Sequence, residues 1–382
     1  MDGVTKKFWA AAFTLTGTVI GAGILGLPYV FSKSGFYVGL FWLLFLGSII
    51  ILCKLYLGEV ILRTKGIHQL PGYAEKYLGK WGRRVMIFEM VFGIYSALLA
   101  YLFGTGQSLS QLFLNVGDYA VYFAIVAWIA VTILLREGLR GLKSIMSWGS
   151  IAILIVISVI FIWYSPSINI ENVSYVNFDY LFLPMGVVLF ALLGFSAIPE
   201  IKMELIGNER LMKKAIFVGA LIPVIAYILF SFIFVAVLGA NVPQVATLAF
   251  GKMVIILGIL TMVTSYFVLS FVLKDMFRYD FMYSRKRTFI LVSVIPLLIY
   301  FIVYFFNLLS FTSILGIAGV ISAGVTGILI VFMNYRAKKL GKRKPEYSIP
   351  INWLIIAIVA IVFIFGVLFE LGVINFVYSL FQ

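Results

Sequence analysis

Two apolar runs in this chain carry glycine followed five residues later by proline. They are Gly21-Ala22-Gly23-Ile24-Leu25-Gly26-Leu27-Pro28 and Gly194-Phe195-Ser196-Ala197-Ile198-Pro199. Glycine disfavours helix, and proline leaves the carbonyl four residues back without its donor, so each run exposes peptide N–H and C=O groups. Such groups bind ions: the N-terminal end of a half-helix suits an anion and bare carbonyls suit a cation. Inside a membrane they persist only where they face protein or a watery cavity. A matched pair in two halves of a chain is the mark of a secondary transporter's binding site.

The surrounding elements must therefore be membrane helices, and composition agrees. The 382 residues are 63% hydrophobic and 12% charged, with mean hydropathy +1.12, which excludes a water-soluble globule. Runs long enough to cross about 30 Å of hydrocarbon number eleven: 8–31, 36–62, 84–113, 119–135, 142–164, 180–201, 211–238, 248–273, 287–306, 311–335 and 351–380. The first is too long for a cleavable signal and is followed by further spans. The stretch 66–82 predicts a short surface helix at the lipid interface.

Net charge is +14, yet 26 of the 29 Lys and Arg fall at the N-terminus and in the loops after even-numbered spans. This asymmetry places the N-terminus in the cytoplasm and the C-terminus outside, in a multi-pass plasma-membrane protein. It assigns the basic residues to orientation and lipid headgroups and excludes a nucleic-acid role. The lone Cys53 and lone His68 leave no ligand set for zinc, iron–sulfur or haem, and no metal or cofactor is expected. A hydrolase's nucleophile and base cannot be assembled either, so the chain is read as no enzyme.

The outer loop 165–179 separates five spans from the next five. An odd number per half inverts the second relative to the first, giving repeats 8–164 and 180–335 within one transmembrane domain, 1–382, with 351–380 outside the repeat. Gly316, Gly319, Ala323 and Gly327 form a small-residue face on span 10 for close helix approach.

The stretches FTLTGTVIGAGILGLPYVFSKSGF, LYLGEVIL, YAEKYLG, FALLGFSAIPEI and TSYFVLSFVLKDMF resemble the amino acid/auxin permease family, in particular its tryptophan/tyrosine permease branch. The resemblance implies an all-α, leucine-transporter-like 5+5 inverted repeat with broken helices 1 and 6 plus an eleventh helix. It also implies uptake of an amino acid, aromatic or large neutral, coupled to a proton, with sodium coupling or uncoupled exchange as alternatives. By the same analogy spans 1, 2, 6 and 7 rock against spans 3, 4, 8 and 9. A passive facilitator and a transport-inactive sensor are the rivals from other classes; a continuous polar stripe for the former is missing.

An amino acid is a zwitterion, and burying it requires a partner for each charge. Backbone from Thr18 to Gly26, including Gly21, Ala22, Gly23 and Ile24, is expected to hold the carboxylate, and carbonyls of Phe190, Ala191 and Leu192 beside Gly194 the ammonium. The resemblance puts an aromatic gate at Phe190, with Phe195 and Tyr95 or Tyr101 lining the side-chain pocket. Thr261, Thr264 and Ser265 on span 8 could ligate sodium or bond back to their own helix. Among intramembrane ionisable groups, Glu59, Glu89, Glu200 and Lys54 are expected at the inner gate, with Glu59 or Glu200 carrying the coupled proton.

Overall fold

Apolar runs in a bilayer must close their backbone hydrogen bonds internally, and the regular structure among the described residues is all helical. The computed structural model describes residues 3–137, 142–351 and 353–370. In order, its helices are α1 (Gly3–Val19), α2 (Gly23–Ser34), α3 (Phe36–Leu62), α4 (Leu70–Leu114), α5 (Ala120–Glu137), α6 (Leu142–Tyr164), α7 (Glu171–Ser174), α8 (Leu183–Ala191), α9 (Ile198–Glu204), α10 (Met212–Leu238), α11 (Gly251–Asp275), α12 (Arg285–Phe289), α13 (Ile295–Phe305), α14 (Phe311–Leu340) and α15 (Trp353–Glu370). Among the described residues seven continuous stretches are long and apolar enough to cross a membrane, and the bent pair α1 and α2 makes an eighth. The three other expected spans fall on α5, α6 and α15, which carry the apolar stretches Ala120–Leu135, Ile153–Ser167 and Ala360–Glu370. The expected end of the last span, beyond 370, lies outside the described residues.

Both expected interruptions are present, in different forms. The first turns the chain by 59° between α1 and α2. The second keeps its direction, with Leu183–Glu204 continuing as one span, but Gly194 at φ +118° ends the hydrogen-bonded ladder of α8 and a 3-10 turn, Phe195–Ala197, leads into α9. Another positive-φ glycine, Gly79 at +77°, separates the start of α4 from its long membrane portion, in keeping with the surface-helix reading of 66–82.

The broken helices sit at the centre, α2 against α8 and α1 against α10, while α14 packs on α8 on one side and on α4 on the other. The small-residue face of α14 explains that closeness. A Cβ on Gly319 would fall 2.5 Å from the Phe190 nitrogen, and one on Gly327 3.0 Å from the Phe363 ring of α15.

The end of the molecule that carries the basic loops is held by charge. Glu59, fully buried on α3, accepts from Arg63 (2.9 Å), Lys338 of α14 (3.0 Å), Ser348 Oγ (2.8 Å) and the Ile349 N–H (3.0 Å). Tyr347 donates to the Leu55 carbonyl and Arg343 to that of Leu62, so the connector after α14 is folded beneath α3. Burial pushes the Tyr347 hydroxyl's pKa up, and it stays a neutral donor. Lys202 of α9 caps the same end of α3, its ammonium donating to carbonyls of Ile61, Thr64 and Gly66, which offsets the negative end of that helix. Removing a buried carboxylate that holds two cations together costs about 3 kcal/mol. Glu59→Ala is expected to lower the thermal midpoint in detergent by several degrees. Glu75→Ala, which breaks only the exposed pair with Arg83, should leave it unchanged.

Candidate functional site at the helix interruptions

The two interruptions press on each other reciprocally. A Cβ on Gly23 would lie 2.5 Å from Ala191 Cα, and one on Gly194 2.7 Å from Val19 Cγ2. Each glycine thus abuts the last residue of the other span's first half, Val19 closing α1 and Ala191 closing α8. Only residues without side chains at 23 and 194 allow this approach, and the positive φ of Gly194 adds a second reason at that position.

One hydroxyl completes the junction. Tyr227 of α10, fully buried, lies 2.9 Å from the carbonyl oxygen of Val19 and 2.9 Å from that of Ala191, its single hydrogen shared between them. Its reach follows from helix packing: Gly219 brings α10 onto α1, where a Cβ would lie 2.6 Å from the Ala12 carbonyl oxygen, and Thr16 Oγ1 donates to the Gly219 carbonyl. Eight residues later, about 12 Å of rise, α10 delivers Tyr227 to the end of α1.

Around this junction peptide groups remain open. Gly21 and Ala22 N–H make no backbone hydrogen bond, and Gly23 stands at the first position of α2, so the positive end of that half-helix is free toward the break. Tyr101 of α4 covers it: its hydroxyl is within reach of the Ala22 backbone and Ser265, and lies 3.1 Å from where a Cβ on Gly21 would be. On the α8 side, the Phe190 carbonyl accepts from Leu193 N–H at 3.2 Å and that of Ala191 from Tyr227, while Leu192 offers a carbonyl with no backbone donor. Gly26 faces Val187, Phe311 and Leu315, which close the opposite side. A small cavity beside Tyr101, lined also by Thr105, Trp128 and Tyr266, has room for about one water.

Of the residues singled out by sequence, Gly21, Ala22, Gly23, Gly26, Ala191, Leu192 and Gly194 are brought together, with Ile24 and Phe195 buried beside them. Phe190 is half-buried and packed on Gly319 of α14. Thr18 lies one turn before the break and donates to its own helix at Thr14. Tyr95 is not in the cluster: its hydroxyl donates to the Leu291 carbonyl in the π-helical turn Ile290–Val294. Tyr101 takes the place proposed for either tyrosine, because six residues put the two about 120° apart round the helix.

On α11, Thr261 donates to Leu257 and Thr264 to Leu260, both back along their own helix, and Thr264 is exposed. Ser265 alone of the three meets the break, through Tyr101. Glu59 and Glu200 lie at the basic end, Glu59 in the clamp and Glu200 in the first turn of α9. Lys54 is buried, yet among the described residues it forms no ion pair; the nearby Glu59 is about 140° away round α3. Tyr227 was not foreseen, and neither was the Lys202 cap.

Two substitutions test the junction. Gly23→Ala inserts a methyl group where Ala191 stands and is expected to reduce uptake at least tenfold with the protein still folded, read as initial rate against surface expression. Tyr227→Phe keeps the ring but strands two buried carbonyls, a loss of about 1–3 kcal/mol, and should weaken substrate binding and lower the thermal midpoint together.

The geometry has counterparts among known proteins. A sequence profile of the tryptophan/tyrosine permease family matches residues 4–249. Glutamine transporter 2 of Aliivibrio fischeri is 26% identical over 247 residues, 62% of this chain and 62% of that protein. Tyrosine-specific transport system 1 of Haemophilus influenzae is 26% identical over 230 residues, 59% of this chain and 57% of that protein. The matched stretch thus spans less than two thirds of either relative's length. Among solved structures, MhsT in complex with L-phenylalanine superposes with a TM-score of 0.66 over 95% of this chain and 97% of that one, at 16% identity. That likeness is one of fold, and it is the leucine-transporter-like fold that the family resemblance implied. With its profile match running from the first span through the second interruption, the chain belongs to the tryptophan/tyrosine permease family.

Proposed function

We propose that this protein is a secondary active carrier that imports a neutral amino acid, aromatic ones foremost, together with a proton. The observation that carries the reading is the convergence of three half-helix ends, α1, α2 and α8, on one buried point. The substrate carboxylate binds the free N–H groups at Gly21 and Gly23, where the positive end of α2 supplies electrostatic attraction without an ionised side chain. The ammonium binds the Leu192 carbonyl and the second lone pair of Ala191. Phe190, Phe195, Tyr101 and Phe311 surround the side chain, and aromatic surfaces favour aromatic substrates by stacking. The names of the relatives, a glutamine and a tyrosine transporter and a phenylalanine-bound structural neighbour, are consistent with that class.

Two features favour a proton over sodium. Carbonyls at half-helix C-termini are where a coupling cation is held in carriers of this kind, and here the Tyr227 hydroxyl stands between them. The hydroxyls of Thr261 and Thr264 are turned to their own helix carbonyls.

Alternating access then separates the broken helices from α4 and α14, exposing the site first to one side and then to the other. The basic end faces the cytoplasm, as the distribution of Lys and Arg requires. There Thr14 donates to Glu204 and Lys7 to the Ile206 carbonyl, tying α1 to the end of α9 as the inner gate.

Purified protein in liposomes decides the matter. An inward proton gradient should drive accumulation of labelled tyrosine, competed by phenylalanine and other large neutral amino acids, and a sodium gradient at equal pH should add nothing. Accumulation driven by sodium alone, or none with any amino acid under either gradient, would overturn the proposal.

A further inference from the structure

Resting on the proton-coupled reading, we infer that Glu89 of α4, set against Ser322 and Thr326 of α14, is the group that binds the transported proton. Glu89 is only 7% exposed, and the hydroxyl residues facing it are 1% and 2% exposed. Ser322 Oγ and Glu89 Oε1 share the face of Gly93, 2.8 and 3.5 Å from where its Cβ would stand, so a glycine on α4 makes room for the hydroxyl of α14. Among the described residues Ser322 Oγ makes no hydrogen bond, so a buried hydroxyl beside the carboxyl group is left to serve it.

The charged and titratable groups of the packed elements are directed elsewhere. Arg84, on the same helix, stacks over Trp81; Lys274 of α11 donates to the Leu135 carbonyl beside Asp275; Tyr95 donates to Leu291; and among the described residues no cation acts on Glu89. A carboxyl group in apolar surroundings, with hydroxyls as partners and no counter-ion, can be held as the neutral acid or as an anion accepting two hydrogen bonds, which a proton carrier requires. Glu59 differs on this point, because four donors hold it as the anion.

Position connects the group to the substrate. Ser322 follows Gly319 by three residues, about 4.5 Å of helix rise, and Gly319 is the residue that packs on Phe190 at the end of α8. A shift of α8 against α14 on substrate binding therefore changes the packing over Glu89. The proton enters as Glu89 becomes the neutral acid in the outward state and leaves to the basic side as the carboxylate re-forms.

The experiment uses the full chain in liposomes and compares Glu89→Gln, Thr326→Val and Glu370→Gln with the parent. Glu370 is the control, a carboxyl group against Gly186 and Gly316 at the other end of α14. Glu89→Gln should retain counterflow of labelled tyrosine, lose at least tenfold of its proton-driven accumulation, and show counterflow that no longer depends on pH. Thr326→Val should displace the pH midpoint of uptake by roughly half a unit or more, a readout that a packing defect does not move and that stands even if Glu89→Gln does not fold. Proton-driven accumulation by Glu89→Gln at the parent's level, an unmoved midpoint in Thr326→Val, or the same uncoupling in Glu370→Gln with Glu89→Gln unaffected would overturn the assignment. A parent protein that ignores the proton gradient would instead defeat the coupling reading on which the assignment rests.

Discussion

The structure depends on a hydrogen atom shared between two peptide carbonyls. α1 and α8 both end their first halves at the same place, and each brings about half a negative charge to its C-terminus. Two such ends in a low-dielectric interior repel each other and cannot be hydrated. The Tyr227 hydroxyl, 2.9 Å from each, is the positive group between them. Without such a donor the reciprocal contact of Gly23 with Ala191 and of Gly194 with Val19 would bring together unsatisfied carbonyls. With it, the remaining open groups at the junction are N–H donors at the start of α2 and a carbonyl at Leu192, one set for each end of a zwitterion.

The strength of the ties is unequal across the molecule, and this matters for motion. At the basic end Glu59 and Lys202 each gather three or more partners, binding α3, α9 and the connector after α14 into one unit. At the centre the Tyr227 hydroxyl holds the broken helices against α10, and glycine faces meet α14. Glycine contacts along α14 permit close approach without interlocking side chains, so that seam can slide at little cost. Carriers of this architecture move one helix group past another around a fixed site, and the distribution of ties here leaves such a seam.

Much of this was legible in the residues. Gly23 with Pro28 and Gly194 with Pro199 marked both interruptions, because glycine and proline act on their own peptide groups and need no partner to be read. The glycine face of α14 was readable for the same reason. Long-range partners were not. Tyr227 is one tyrosine among 21 in an apolar helix, and its part is set by where α10 crosses α1, which depends on Gly219. Tyr95 and Tyr101 looked equivalent, although their six-residue spacing already put them about 120° apart round the helix. The hydroxyls of α11 suit either a sodium ion or their own helix, and sequence spacing is the same for both; Thr261 and Thr264 are bonded to their own helix. Glu59 looked like other membrane carboxylates because its partners Lys338, Ser348 and Ile349 lie nearly three hundred residues away.

The most direct measurement is an electron cryomicroscopy map of the protein with a bound aromatic amino acid, at a resolution that orients the ligand. This account places the ligand's carboxylate on the N–H groups of Gly21 and Gly23 and its ammonium at the Leu192 carbonyl, with the Tyr227 hydroxyl still between Val19 and Ala191. Ligand density elsewhere, or continuous helices through 20–22 and 192–197, would contradict it.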